Sequence, residues 1–442
     1  IIISKIIKIS EKEIPMKKSN KDAFIIGLAL FAMFFGSGNL IFPPYLGKAA
    51  GSKYFISIIG FIMTGVGLPL MGILACAKIN GTFKDMSLRV GKVFSIIATT
   101  SIVLAIGPML AIPRTAATTY ELSVHPIFPN VGIVPSIIIY FIINLAFVLK
   151  PSSIVDNIGK ILTPILLLLL LTIIVKGVIS PIGTIVNTNF QHVFSNSLIE
   201  GYQTMDAIAS VIFASIVLSS VKDKGYTKTS DIIKMTSISG IVAVIGLGVI
   251  YGGLMYLGSQ TSSIIPGDIG KTALVTEIVK RILGYSGNLF LGAAVALACL
   301  TTSIGLTSSA AKYFEGLSKD KLSYRTNSII ITIWSILMAT MGVDKIVVLS
   351  GPILQILYPI VIVLVILTLL GVNNNSVISA TVYTTLIISI LDNMAPLGIH
   401  IKFIENFISL IPLSKIGFVW VIPSIIAFII SYLYANMKKA QI

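Results

Sequence analysis

Twelve apolar stretches, each near the roughly 20 residues that carry a helix across a bilayer, alternate along the chain with shorter polar links. They fall at about 22–49, 54–77, 93–121, 132–149, 159–179, 199–221, 231–258, 286–313, 327–342, 346–371, 376–391 and 417–436. The pattern predicts an all-α integral membrane protein with about twelve transmembrane helices. Two of these stretches are interrupted by residues that continue a helix poorly. In the first, Gly36-Ser37-Gly38-Asn39 stands in the middle of Phe31–Pro44; in the sixth, polar groups run from Glu200 through Asp206. Hydrocarbon cannot hydrogen-bond an opened backbone, so a break at that depth persists only where protein or a ligand satisfies the freed groups.

The two breaks open successive groups of five spans. Interrupted helices at corresponding positions of two halves are the sequence mark of a midplane site in a secondary transporter. The chain is accordingly divided into a tail at 1–21, a first inverted repeat at 22–179 (helices 1–5), a second at 199–371 (helices 6–10), helices 11–12 at 376–436 and a tail at 437–442. Identity between the halves is not visible in the residues, and the repeat rests on the placement of the breaks. Among the longer links, Thr272–Leu283 has an amphipathic pattern, suited either to a surface helix covering the spans or to an outer lid. Met16-Lys17-Lys18 reads as an ordinary translation start, which makes 1–15 an expected upstream extension, and the first apolar run has no cleavage pattern of a signal peptide after it.

Composition narrows the class. Hydrophobic residues are 55% and charged residues 11% of the chain, against about a quarter charged in a soluble domain. The net charge of +15 is spread over short loops and forms no continuous face for nucleic acid. Alternate loops hold 22 and nine Lys or Arg, which by the positive-inside rule places both termini in the cytoplasm. Cys76 and Cys299 lie in apolar runs as packing residues, and three scattered His form no metal cluster. No nucleophile, base or metal set points to an enzyme. A passive channel would show rings of like residues, whereas the polar breaks here converge on a few helices.

Four blocks in order carry a resemblance: Phe34–Pro44, Gly107–Ala116, Gly201–Ala207 and Ser350–Pro359. Together they resemble the bacterial branched-chain amino acid transport system II carrier family, over nearly the whole chain from about Lys21. The resemblance implies a cation-coupled importer of leucine, isoleucine and valine in a bacterial cytoplasmic membrane. Its implied partners are substrate, coupling cation and lipid, without a cofactor or nucleic acid. It also implies a five-plus-five inverted-repeat fold like that of the bacterial leucine transporter, with helices 1 and 6 broken. A carrier of another small neutral amino acid, or a channel, is the alternative.

Carried over by position, the amides near Gly36, Ser37 and Gly38 would receive the substrate carboxylate, where unpaired N–H groups and the positive end of a helix dipole also favour an anion. Asn39 would lie near an ion. Tyr202, Thr204 and Asp206 are candidates for the ammonium end, with Asp206 also open to proton binding or to capping the inner half-helix. A charged, unpaired Asp206 at that depth would cost roughly 2.5–3.5 kcal/mol. Arg114 can pair with Asp206 or Glu121, or snorkel outward. A sodium ion would be held by Thr301 and Thr302 with the carbonyls of Ala298, Ala32 and Phe35, or by Thr302 and Ser303 in a register shifted by one. Met109, Ile112 and Phe213 are expected as apolar walls, with one methylene worth only about 1–3 kcal/mol between substrates.

Overall fold

The structure is a computed structural model that describes residues 16–150, 163–265, 267, 269–284 and 286–440. The expected extension at 1–15, the start of the fifth stretch and the last two residues of the C-terminal tail lie outside the described residues. Each of the twelve predicted stretches contains helix, and the ends of the helices follow from local chemistry.

The first stretch is two helices, α1 (Met16–Phe34) and α2 (Ser37–Ala50), parted where Gly36 takes an extended backbone with φ −120° and ψ −162°. Gly51, with φ +51°, ends α2. The second is α3 (Tyr54–Ile62) and α4 (Leu68–Ile79), joined by a π-type turn at Met63–Gly67, and a short α5 (Phe83–Leu88) follows. The third is α6 (Lys92–Leu104), a π-type turn at Ala105–Met109, α7 (Ala111–Thr119) and a second π-type turn at Tyr120–Val124. Next come α8 (Ile133–Val148) and α9 (Thr163–Ile179). The sixth stretch is again split, into α10 (Val193–Tyr202) and α11 (Asp206–Asp223), bent by 41°. Then follow α12 (Thr229–Ser259), α13 (Lys271–Leu283), α14 (Ser286–Leu317), α15 (Tyr324–Ala339), α16 (Val343–Leu369), α17 (Asn375–Asn393), α18 (Lys402–Leu410) and α19 (Val421–Ala440).

Among the described residues, seven helical runs are long and apolar enough to cross a membrane, and α10 with α11 makes an eighth. One of the seven, Ser37–Ile79, holds the second half of the first predicted stretch and the whole of the second, which the turn at Gly51 divides.

The packing is centred on the broken helices. α12 lies along both α1 and α2, while α10 and α11 lie against α3 and α4. α14 packs on α7 and α15. Lipid gives helices little hydrophobic reason to associate, so close backbone approach at small residues carries the contact. An added Cβ at Gly47 would stand 1.9 Å from the Met255 carbonyl oxygen, and one at Gly258 would stand 2.0 Å from that of Pro44. α17 packs on α16 and α19, and only 6% of the span Val421–Lys438 is buried, so α19 forms a lipid-facing edge. Cys76 and Cys299 are buried free thiols in the packed interior.

The amphipathic segment is the helix α13, whose Leu274, Val275, Ile278, Val279 and Ile282 are buried where it rests on α2 and α14. Its entry is tied down by Glu121, which accepts from Thr272 Oγ1 (2.7 Å) and from the Val343 amide (3.0 Å) at the start of α16. The carboxylate thus joins the C-terminal end of the third span to two helix N-termini, where a negative charge is favoured.

Candidate functional site

The two breaks face each other across a narrow pocket. Its polar lining includes Gly36, Ser37, Asn39, Arg114, Thr204, Asp206 and Thr302. Its apolar wall comes from Met33, Phe34, Ile106, Ala111, Met205, Ala209, Phe213 and Leu306. Backbone chemistry builds the break in the first span. The Gly36 amide donates to Asn39 Oδ1 at 3.0 Å, so Asn39 caps the first turn of α2 from within. The same side chain turns its amide nitrogen to the other break, donating to Asp206 Oδ2 at 2.6 Å and bonding the Tyr251 hydroxyl on α12. Tyr251 also donates to Asp206 Oδ2 at 3.4 Å. In the sixth span the chain turns through Met205, whose φ of +67° is left-handed, and Asp206 opens α11 with its amide donating to Thr204 Oγ1 at 3.3 Å.

Arg114 spans the gap between the breaks. It is 2% exposed. Its Nε donates to Ser37 Oγ (3.1 Å), its Nη1 to the Gln203 carbonyl (2.7 Å) and its Nη2 to the Thr204 carbonyl (3.3 Å). The Phe42 ring centroid lies 5.5 Å from its Cζ, and Lys271 Nζ stands at 5.5 Å from the same ring. Arg114 therefore does not snorkel, and it makes no hydrogen bond to Asp206 or Glu121, the two partners weighed for it. Asp206 is held by Asn39 and Tyr251, and Glu121 by Thr272 and Val343. The guanidinium reaches the exposed carbonyls of the sixth-span break instead, because an unwound turn leaves acceptors that a continuous helix would have used. Gly38 makes room for it: an added Cβ would lie 2.8 Å from Arg114 Nη2, 3.1 Å from the Phe42 ring and 3.2 Å from Thr204 Cα.

The candidate cation ligands are brought together in part. Thr302 Oγ1 donates to the Phe35 carbonyl at 3.3 Å, joining α14 to the break in the first span. Thr301 turns its hydroxyl to the Ala298 carbonyl at 3.0 Å. Ser303 is engaged by the Asn144 side chain on α8, away from the pocket. Ala32 and Ala298 are both buried, and the Ala298 carbonyl is the one Thr301 bonds. Of the three hydroxyls, Thr302 alone lines the pocket, and the Thr301 bond is one made within its own helix.

Of the expected walls, Phe213 lines the pocket while Met109 and Ile112 do not. The π-type turn over Ala105–Met109, with Gly107 at φ −91° and ψ −123°, turns the helix so that Ile106 and Ala111 face inward instead. Tyr202 also lies outside the pocket, stacked on Tyr358 at 4.3 Å. Gln203 links the break to the tenth span by accepting from Ser350 Oγ at 2.8 Å. Tyr251 and Gln203 were missed because a single aromatic in a long apolar helix and a Gln in a polar run carry no signal of their own.

A polar pocket between two interrupted helices of an all-helical membrane protein defines a class, the transporters of the leucine-transporter-like fold. Solved structures share the architecture at low identity. Mhp1, a nucleobase-cation-symport-1 family transporter in a closed conformation with bromovinylhydantoin bound, matches with TM-score 0.64 and 14% identity over 92% of this chain and 91% of that one. A Na+-coupled sialic acid symporter in a substrate-bound outward-open state matches at 0.61 and 15%, covering 93% and 90%. MhsT in complex with L-phenylalanine matches at 0.56 and 15%, covering 91% and 98%. The chain belongs to the branched-chain amino acid transport protein family, whose model matches residues 19–438. It is 38% identical to the branched-chain amino acid permease BraB of Bacillus subtilis (strain 168) over 425 residues, 93% of this chain and 95% of that protein. It is also 38% identical to the putative branched-chain amino acid carrier protein SSP1343 of Staphylococcus saprophyticus over 441 residues, 96% and 98% of the two. The protein is thus a multi-pass membrane protein of a transport family, not an enzyme.

Proposed function

We propose that this protein is a secondary transporter that imports leucine, isoleucine and valine across the bacterial cytoplasmic membrane, coupled to a cation and by alternating access. The observation that carries the reading is the meeting of two helix breaks at one pocket that holds an acid, a base and an apolar wall, inside a branched-chain amino acid transport family. A zwitterion with a branched aliphatic side chain needs those three features, and a small wall rather than a long groove. The ammonium end is assigned to Asp206 and the Thr204 region, and the side chain to the wall of Met33, Ile106, Ala209, Phe213 and Leu306.

Sodium is the coupling ion in this reading. Hard cations take several oxygen ligands, and Thr302 Oγ1 with the Phe35 carbonyl already marks one corner of a set that Ala32, Ala298 and Thr301 would complete. The two proposed repeats, 22–179 and 199–371, are supported by a reciprocal packing: the first span rests on the seventh and the sixth on the second, a pairing that exchanging the halves leaves unchanged. The test is leucine uptake by the purified protein in proteoliposomes. An inward sodium gradient should drive accumulation and unlabelled valine inside should accelerate it by counter-flow. Accumulation driven only by a proton gradient would replace sodium by proton through Asp206, and uptake without counter-flow would make the protein a channel.

A further inference from the structure

Among the described residues, Arg114 is the one fully basic side chain lining the pocket, and no acidic side chain forms an ion pair with it. Its three hydrogen bonds all go to neutral oxygens, Ser37 Oγ and the carbonyls of Gln203 and Thr204. A guanidinium has five N–H donors, so two remain. Asp206 lines the same pocket and its charge acts on Arg114 through space, but its Oδ2 is engaged by Asn39 and Tyr251 and the two side chains form no hydrogen bond or ion pair with each other. A cation withdrawn from water is costly unless paired and hydrogen-bonded, and neutral acceptors supply the hydrogen bonds without a directly paired anion. The positive charge is held in place at the pocket with no anion in direct contact.

The backbone of the first break has fewer amides free for a carboxylate than the sequence offers. Of the three amides offered for the substrate, that of Gly36 is already donating to Asn39 Oδ1. The remaining amides, Ser37 and Gly38, sit on the turn that Arg114 grips through Ser37 Oγ. Of these two residues Ser37 lines the pocket with Arg114 and Gly38 does not, so an anion there would meet a guanidinium fork as well as the start of α2 at Ser37.

We infer that Arg114 is the residue that receives the carboxylate of the substrate, so that this pocket selects a free carboxylate by charge pairing while its apolar wall only ranks side chains. This deepens the transporter reading and rests on it. The substrate class is the free α-amino acid. An amino alcohol or amide with the same side chain leaves the guanidinium unpaired, and a buried polar group deprived of its partner is the strongest basis for rejecting an analogue.

The experiment measures binding of leucine and of leucinol to the purified full-length protein, in detergent with sodium present, by calorimetry. Leucinol keeps the ammonium and the side chain and lacks the carboxylate. The wild-type protein should prefer leucine by on the order of 100-fold or more. In Arg114→Gln that preference should collapse to about threefold or less, mainly through loss of leucine binding, because only one of the two ligands carries the charge. Arg114→Lys should keep an intermediate preference, since a point charge replaces a planar fork. If Arg114 serves only to tie Ser37 to the sixth-span break, both ligands weaken together and the preference is unchanged, which overturns the inference. Should the Gln variant fail to yield a monodisperse protein, the Lys variant decides: an undiminished preference there overturns the inference as well. A wild-type protein that binds neither ligand overturns the transporter reading itself, an outcome distinct from the others.

Discussion

At Gly38 the space that a β-carbon would need is taken by the Arg114 guanidinium, the Phe42 ring and the Thr204 backbone. The last of these is rigid, and overpacking a tight site costs about 1–3 kcal/mol even where neighbours can move. Gly38→Val is therefore expected to abolish leucine uptake while the protein still inserts, as judged by uptake normalised to protein in the membrane. The cause would be separation of the two breaks, with lost amide contact to substrate only a part of it. At Thr302 the hydroxyl faces the Phe35 carbonyl. Thr302→Ala removes one proposed oxygen ligand, worth about 1 kcal/mol net, which should raise the sodium concentration for half-maximal uptake roughly fivefold to tenfold. Leucine affinity at saturating sodium should change little, and an unchanged sodium curve would remove Thr302 from the ligand set. The polar candidates were legible because Gly, Ser, Asn and Asp are expensive at membrane depth. Met109 and Ile112 were misplaced because an apolar side chain costs nothing on either face of a helix and so leaves no mark of which way it points.

Both broken spans are built from a half-helix that starts on a short side chain. Asn39 caps α2 through the Gly36 amide and bonds Asp206, the first residue of α11, so one side chain couples two elements. Asn39→Ala should cost about 1 kcal/mol for the cap and a further ~1–3 kcal/mol for leaving a buried carboxylate short of a donor. The melting temperature of the purified protein should fall, and leucine should recover less of it than in the wild type. The third span departs from a regular helix differently, through π-type turns at Ala105–Met109 and Tyr120–Val124. These change which residues face the pocket and bring Glu121 to the N-termini of α13 and α16. Gly107-Pro108 announced an irregular helix in the sequence; the size of the rotation follows from how α6 and α7 pack. α13 packs on α2, the second half of the first span, as an amphipathic pattern allows, and Glu121→Ala should loosen it. Hydrogen exchange across 271–283 should rise in that variant.

Across the whole molecule, the broken spans rest crosswise on their neighbours' counterparts, while α17 and α19 lie at one edge. A rigid-body exchange of access would move the paired spans about the pocket and leave the edge helices in lipid. The asymmetry of 22 against nine basic residues between alternate loops predicts both termini in the cytoplasm. Single cysteines at the terminal tails should react with a membrane-impermeant maleimide only after the cells are opened. One in the exposed part of α18, at Phe403 (81% exposed), should react in intact cells.

What the sequence determined was the number of apolar runs, their interruption at Gly36–Asn39 and near Asp206, and the identity of the polar groups, because hydrocarbon penalises each of these residue by residue. What only the tertiary structure decided was which groups meet. Arg114 reaches the carbonyls of Gln203 and Thr204 rather than a carboxylate, and Asn39 reaches Asp206 across 167 positions of chain. Such meetings depend on the relative rotation of packed helices, and a transmembrane helix that is apolar on most of its faces does not encode that rotation in its pattern. It is set by close contacts such as those at Gly47 and Gly258, which exist only once the spans have come together.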